Sequence, residues 1–195
     1  MPRSILACLA VIGVLFGAGC GADDDEPTPT SAAASPTADS SGPAIIDQVT
    51  EAVDSGDTAD LEALLEYHTE VCTTTPPGGG GQPVCATSEP NATALEGITR
   101  IACESEFTRK DDLNLDSALA TDLTFYGAYS FSSEVLEGAE YIVIFERTTA
   151  VGGSIGMGYI LNESGVIALQ YGCGWASIDD FIEGNNLGTP IATPT

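Results

Sequence analysis

Residues 44 to 65 carry the hydrophobic pattern of two consecutive helices. In AIIDQVTEAVDS the apolar side chains recur at helical spacing, so we expect the first helix to bury one face. Ser55 and Gly56 are expected to end that helix. Asp57 can cap a second helix, with Asp60 three residues later in an acidic variant of the capping box. The apolar face of the second helix would consist of leucines: Leu61, Leu64 and Leu65.

Strand-like runs dominate the second half of the chain. EGITRIAC predicts one strand, and four further runs follow in TFYGAYSF, EYIVIFER, SIGMGYILN and VIALQYGC. The last two runs are joined by NESG, which favours a turn. Gly156 and Gly158 fall on one face of SIGMGYILN, and this indicates a bend or a close approach of the backbone to a neighbour.

Two more helices are predicted around these strands. In TRKDDLNLDSALATDL, Thr108 is the expected cap, and leucines spaced by four form the apolar stripe: Leu115, Leu119 and Leu123. SIDDFIE predicts a short last helix. The order is then helix, helix, strand, helix and four strands, which favours an α+β fold. Because consecutive strands have short links, we expect an antiparallel sheet with helices on one face.

This order and the opening AVDSGDTADLEALL resemble the nuclear transport factor two-like (SnoaL-like) fold, which is a cone-shaped α+β roll. The resemblance implies N-terminal helices packed on a curved, mainly antiparallel sheet. It also implies a cone that often encloses an apolar pocket. Some members use that pocket for isomerase or dehydratase chemistry, and many use it only for binding. The catalytic residues of those members have no identifiable counterparts in this sequence, so none is carried over.

Residues 1 to 19 have the pattern of an export signal. MPRS carries one positive charge, and ILACLAVIGVLFGAG is uncharged but shorter than the roughly 20 apolar residues that span a membrane. Gly17-Ala18-Gly19-Cys20 resembles the lipobox of bacterial lipoproteins, although Gly17 stands where the family usually has leucine. The resemblance implies cleavage after Gly19, lipid on Cys20 and anchoring at the extracytoplasmic face of the cell membrane. Ordinary secretion after a nearby cleavage is the alternative.

Residues 20 to 43 would link this anchor to the folded part. They are acidic at first and then rich in Pro, Thr, Ser and Ala, with no aromatic or large aliphatic side chain. Such a segment cannot bury enough apolar surface to offset its ordering entropy. We therefore expect a disordered tether, a single domain over residues 44–185 and a disordered tail over residues 186–195.

The charge balance narrows the range of partners. The chain has 29 acidic and 5 basic residues, for a net charge of −24. Nucleic-acid binding depends on Lys and Arg that neutralise phosphates, so we expect no nucleic-acid partner. Anionic lipid would also repel the chain, and attachment to the membrane would therefore depend on the lipid on Cys20.

Four cysteines follow the proposed anchor, and outside the cytoplasm an even number indicates disulfides. They permit three pairings. We favour a Cys72–Cys85 bridge, which would close the loop TTTPPGGGGQPV, and Cys103–Cys173 then follows by elimination. Zinc bound by these thiols and His68 is the alternative, but the paired CxxC motifs of structural zinc sites are missing from the sequence. The favoured interpretation is a disulfide-stapled domain without a metal site.

Few residues suggest catalysis. Residues 152–156 match G-x-S-x-G, but they lie between two predicted strands, where a hairpin is the better interpretation than a nucleophile elbow. Residues 112–116 start like a calcium loop but lack its later glycine and glutamate. His68 is either a general base at the mouth of the cone or a surface residue at a helix end. Trp175 is either a ligand platform or a packing partner of the Cys103–Cys173 bridge.

Three hypotheses of function follow. The first is an anchored extracytoplasmic lipoprotein that binds a small molecule or an envelope protein without catalysis. The second is a small pocket enzyme on the same fold, with His68 or a buried carboxylate as the base. The third is a structural envelope protein. No catalytic residue, cofactor or metal ligand is assigned under the first hypothesis, which we favour.

Overall fold

Three α-helices and seven strands form in the part of the chain that the computed structural model describes. The described residues all belong to one compact unit and are residues 43–75, 81–119, 122–134, 136–148, 153–172 and 177–194. The helices are α1 (Ala44–Ser55), α2 (Thr58–Glu62) and α3 (Ile178–Gly184), with a 3-10 helix at Lys110–Asp112. The strands are β1 (His68–Val71), β2 (Ala94–Ile101), β3 (Ser105–Arg109), β4 (Leu123–Ser130), β5 (Tyr141–Thr148), β6 (Ser154–Leu161) and β7 (Val166–Tyr171).

Helix α1 ends, and helix α2 begins, where the sequence predicts. Gly56 ends α1 in the left-handed conformation, with φ of 67°, and its N–H donates to the Val53 carbonyl. The Asp57 carboxylate caps α2 by accepting from the Ala59 N–H at 2.8 Å. The second helix is shorter than expected, because Leu65 already pairs with Val166 at the start of β7.

The strands form one sheet in the order β1-β2-β7-β6-β5-β4, and β3 pairs with β2. All neighbouring strands are antiparallel except β2 and β7, which run parallel. The predicted meander of β4, β5, β6 and β7 is confirmed, as is β2. Strands β1 and β3 were not predicted, because both are short and carry charged side chains.

The helix predicted over TRKDDLNLDSALATDL is wrong. Thr108 lies in β3 opposite Ile98, and only the 3-10 turn Lys110–Asp112 follows it. Leu115 and Leu119 are buried as expected, but they belong to a turn in which both Ala118 and Leu119 donate to the Leu115 carbonyl. Leu123 begins β4.

Both faces of the central strands are buried. Val143, Phe145 and Tyr159 pack in a cluster with α1 and α2, whereas Ile142 and Ile144 pack with α3. Since alternate residues of a strand point to opposite faces, α3 lies on the face opposite α1 and α2. The expectation that all helices share one face is therefore correct for the two N-terminal helices and wrong for α3.

The close approach predicted at the glycines of β6 is confirmed. A Cβ atom built on Gly156 would lie 2.9 Å from Cγ of Phe181, the buried aromatic residue of α3. A Cβ atom built on Gly158 would lie 2.8 Å from Cδ1 of Ile142. The glycines therefore let α3 and the neighbouring strand pack directly on the backbone of β6.

The segment after α3 also departs from expectation. We expected disorder over residues 186–195, but Ala192 forms an antiparallel bridge with Ala128 of β4. The Ala128 N–H donates to the Ala192 carbonyl at 2.9 Å, and the Ile191 N–H donates to the Ala128 carbonyl at 2.7 Å. Ile191 also packs against the main core, which explains how so polar a segment is held.

The predicted Cys72–Cys85 disulfide is confirmed, with 4.9 Å between the two Cα atoms. Cys103 is also disulfide-bonded, but Cys173 lies outside the described residues, so its pairing with Cys103 stays a prediction. The export signal, Cys20, the tether to residue 42 and Trp175 also lie outside them. Among the described residues, no helix combines the length and the apolar character needed to cross a bilayer.

Candidate functional site

His68 opens strand β1 and does not lie at a helix end, as one interpretation of the sequence had it. It stands opposite Gly97 of β2, so its side chain shares a sheet face with Gly97 and Thr99. Its Nε2 atom is 3.4 Å from the Thr99 hydroxyl and 4.0 Å from the Glu70 carboxylate. The His68 side chain is 39% exposed, so this end of the sheet is open to a ligand.

The missing side chain of Gly97 shapes the floor of the site. A Cβ atom there would lie 2.3 Å from the Thr108 carbonyl oxygen and 2.5 Å from Cζ of Phe107. The Phe107 ring therefore covers Gly97 and meets the His68 imidazole edge-on, with 5.4 Å between ring centroids. The sequence signal for this packing is the glycine inside the run EGITRIAC, since a glycine within a strand often marks a close approach of a neighbouring group.

Two adjoining clefts meet at His68, Glu70 and Thr99. The larger has a volume of about 480 Å³ and extends toward Asn162 and the loop before β5. Its carboxylates are Glu66, Glu70 and Glu137, and its apolar wall is formed by Tyr67, Leu136 and Ile167. We call this cleft, together with His68 in its lining, the His68 groove. It combines negative charge with an apolar surface.

The smaller cleft has a volume of about 230 Å³ and continues the groove toward β3. Phe107 and Glu106 of β3 form one wall, and Gly81 and Gln82 of the disulfide-closed loop form another. The Gly81 N–H donates to the Ser105 carbonyl at 3.0 Å, which fixes this part of the loop to β3. The loop is therefore a structural part of the groove.

Two further cross-links hold that loop in place. The Cys72–Cys85 disulfide joins it to the residue that directly follows β1. Arg109 donates to both oxygens of Glu89 at 2.7 Å and to the Val84 carbonyl at 3.1 Å. The hydrogen bonds from Arg109, supported by one from the Ala86 N–H, lower the pKa of Glu89 to about 2. Bidentate pairing of this kind fixes orientation as well as distance.

The basic side chains near the groove are each paired with a carboxylate. Lys110 lies 3.7 Å from the Glu96 carboxylate and 4.5 Å above the Tyr67 ring centroid. The pKa of Tyr67 is raised by burial and, to a smaller extent, by Glu62 and Glu96. Each of the four basic side chains in the described part of the chain is paired with a carboxylate: Arg100–Glu106, Arg109–Glu89, Lys110–Glu96 and Arg147–Asp122.

The other sequence candidates do not join this groove. Ser154 of the G-x-S-x-G match begins β6 opposite Thr148, so the match lies at the β5–β6 pairing, as the hairpin interpretation expects; residue 152 lies outside the described part. The disulfide consumes the thiols of Cys72 and Cys85, which removes the zinc alternative built on them. Within the described ranges, no group of three or more His, Cys, Asp or Glu side chains could hold a metal ion.

Several groove residues escaped the sequence analysis. Glu66, Glu70, Thr99 and Phe107 are ordinary strand or loop residues that belong to no motif. The pairing of β2 with β3 places Thr99 opposite Phe107, which no local pattern predicts. Comparison of the chain with protein-family models, curated proteins and solved structures finds no match. What the groove can bind therefore follows from its own side chains.

Proposed function

We propose that this protein is an extracytoplasmic lipoprotein, anchored through lipid on Cys20, whose α+β domain binds a ligand in the His68 groove without catalysis. The groove itself is the observation that carries the proposal. Its larger cleft, at about 480 Å³, falls within the range of about 300–1,000 Å³ typical of small-molecule sites. It also mixes apolar walls with a few polar groups, as such sites do.

The groups around His68 are placed for hydrogen bonding to a ligand. The Thr99 hydroxyl is 3.4 Å from Nε2 and the nearest Glu70 oxygen is 4.0 Å away. The side chains of His68 and Glu70 are both solvent-accessible. His68 and Thr99 are thus placed to donate to or accept from a bound molecule.

The charge of the groove favours a cationic ligand. Glu66, Glu70 and Glu137 line the larger cleft, and the four basic side chains of the described residues are engaged with other carboxylates. An organic amine would bring the missing positive charge, and its carbon chain would pack on Tyr67 and Ile167. An envelope protein that presents a basic side chain offers the same chemistry.

We also propose that the sheet belongs to a cone-like roll similar to the nuclear transport factor two-like fold. Two N-terminal helices followed by a mainly antiparallel sheet support this proposal. The parallel β2–β7 pair joins the N-terminal strands β1, β2 and β3 to the C-terminal strands β4 to β7 in one sheet. A solution or crystal structure with a flat, open sheet would contradict it.

Native mass spectrometry tests the binding proposal. Protein isolated from its own host membrane should carry a ligand of defined mass, and Thr99→Trp should lose that ligand because the indole fills the junction of the two clefts. Thr69→Trp is the matched control, since Thr69 is exposed on the opposite face of the neighbouring strand. Retention of the ligand by Thr99→Trp, or a bare wild-type protein, would exclude this site.

The anchor is tested separately by Cys20→Ser. Wild-type protein should incorporate labelled fatty acid and partition into detergent, because two or more acyl chains hold a protein stably at a membrane. The variant should do neither. If the variant keeps its detergent partitioning, the anchor is elsewhere, and the groove proposal is unaffected.

A further inference from the structure

Strand β4 ends the sheet, and it carries none of the charges that usually protect such an edge. Its sequence LTFYGAYS is uncharged and rich in aromatic and β-branched residues. Edge strands present unpaired N–H and C=O groups, and long uncharged ones are templates for pairing with another chain. The opposite end of the sheet is different, because β1 and β3 carry His68, Glu70, Glu106 and Arg109.

Among the described residues, the segment after α3 contacts this edge at Ala128. Ala192 bridges Ala128 in antiparallel fashion: the Ala128 N–H donates to the Ala192 carbonyl at 2.9 Å, and the Ala128 carbonyl accepts from the N–H groups of Ile191 at 2.7 Å and Ala192 at 3.4 Å. Gly127 permits the approach, since a Cβ atom there would lie 3.2 Å from the Ala192 carbonyl oxygen. Ile191 adds apolar contact with the main core. The outer edge of β4 thus already accepts an extended segment.

We propose that the outer edge of β4 is a strand-accepting surface, and that the segment of residues 189–194 occupies it and prevents β4 from pairing with β4 of a second copy. A symmetric pair of this kind places the same strand on both sides of a twofold axis. The small residues Gly127 and Ala128 would lie near that axis. Two β4 strands can approach because neither carries charge, despite the strongly negative chain.

Shortened chains test this proposal. A variant ended after Gly188 should be folded by circular dichroism and should show twice the monomer mass by light scattering at tens of micromolar. The control ended after Thr193 keeps the Ala128–Ala192 bridge and should stay monomeric, as should the full chain. A folded, monomeric Gly188 variant would overturn the proposal.

Two additions separate edge pairing from non-specific association. Thr124→Lys in the variant ended after Gly188 should restore the monomer, because Thr124 is exposed on β4 and edge lysines oppose strand pairing. The peptide GTPIATPT in excess should do the same by occupying the edge. Dimers that survive both additions would show that another surface is responsible.

If the Gly188 variant does not fold, the full-length variant Ile191→Asp answers the same question. It places a charge where Ile191 packs on the core, and it should therefore release the segment without removing it. The expected result is a dimer, with slow hydrogen exchange at the Ala128 amide. A monomer in which this amide exchanges rapidly would contradict the proposal, since the edge would then be free and still not pair.

Discussion

The two ends of the sheet are stabilised in different ways. In the half formed by β4, β5 and β6, side chains are buried on both faces, between α1 on one side and α3 on the other. In the half formed by β1, β2 and β3, charged and aromatic side chains line an open groove. That half is held by the Cys72–Cys85 disulfide and by the Arg109–Glu89 pair.

This difference indicates how one small domain can combine a stable core with an accessible site. Apolar burial stabilises the first half, whose side chains pack against helices on both faces of the sheet. The second half is held by the Cys72–Cys85 disulfide and by the Arg109–Glu89 hydrogen bonds. These cross-links occupy little of the surface that a ligand could contact. Binding sites are commonly built on such less-packed regions of a rigid scaffold.

The sharpest test of the packed half is Phe145→Ala. The Phe145 ring is fully buried and meets Phe125 and Tyr159 edge-on, with centroid distances of 5.8 and 5.5 Å. Its loss should lower the free energy of unfolding by about 3–5 kcal/mol. Phe107→Ala in the groove should cost much less, because that ring is only half-buried. Urea denaturation of both variants measures the difference, and equal losses would remove the distinction between the halves.

The disulfide is the next largest contribution, and it belongs to the other half. The double variant Cys72→Ala/Cys85→Ala should lower the free energy of unfolding by about 3 kcal/mol. The bridge joins two cysteines that are 13 positions apart and so restricts the unfolded chain. Hydrogen exchange should rise first at β1 and β3 and last at β5 and β6. A uniform rise in exchange would show that the two halves unfold as one unit.

The apolar half is also the half that the sequence predicts well. Strands β5 and β6 contain continuous apolar runs, YIVIF and IGMGYIL, and a short link joins the two strands. Both the strands and their pairing therefore follow from the sequence. The cap predicted at Asp57 is confirmed, since its carboxylate accepts from the Ala59 N–H, and the short helix predicted over SIDDFIE is confirmed as α3. Local signals and tertiary packing agree in this half.

The segment between β3 and β4 was harder to predict because its local signals compete with tertiary packing. Leucines spaced by four favoured a helix, yet Asn114 accepts from the Asp116 N–H and forms a turn. The turn reaches the core because the Tyr159 hydroxyl donates to the Ala118 carbonyl, a contact between residues far apart in the sequence. Burial around Tyr159 raises the pKa of its phenol. The spacing of the leucines therefore reported burial correctly and secondary structure wrongly.

Glycine-to-alanine substitutions compare the backbone packing of the two halves. Gly97→Ala brings Cβ within 2.3 Å of the Thr108 carbonyl oxygen, and Gly156→Ala brings it within 2.9 Å of the Phe181 ring. Each should cost about 1–3 kcal/mol by overpacking, with Gly97→Ala the larger because a paired strand must move. Gly188→Ala is the control, as its Cβ would meet nothing within 4 Å. Thermal unfolding ranks the three, and a Gly156→Ala loss above that of Gly97→Ala would contradict the ranking.

The smallest expected effect is the pH dependence of the Arg109–Glu89 pair. Because the pKa of Glu89 falls from 4.5 to about 2 in the folded protein, the folded state binds fewer protons at this carboxyl than the unfolded state between those values. The stability that the pair contributes is thus complete above about pH 4.5 and is lost as the pH falls toward 2. Glu89→Gln removes the titrating group.

Other carboxylates also titrate in this range, so the difference between two variants is the quantity to measure. The urea midpoint of wild-type protein should exceed that of Glu89→Gln at pH 6, and the gap should narrow by pH 2.5 and close only below about pH 2. Glu51→Gln, on the exposed side of α1, should show no such closing gap. A gap for Glu89→Gln that stays constant with pH would mean that the loop is held by the geometry of the hydrogen bonds and not by the charge of Glu89. The groove wall would then keep its position in acid, and ligand binding at low pH would distinguish that case directly.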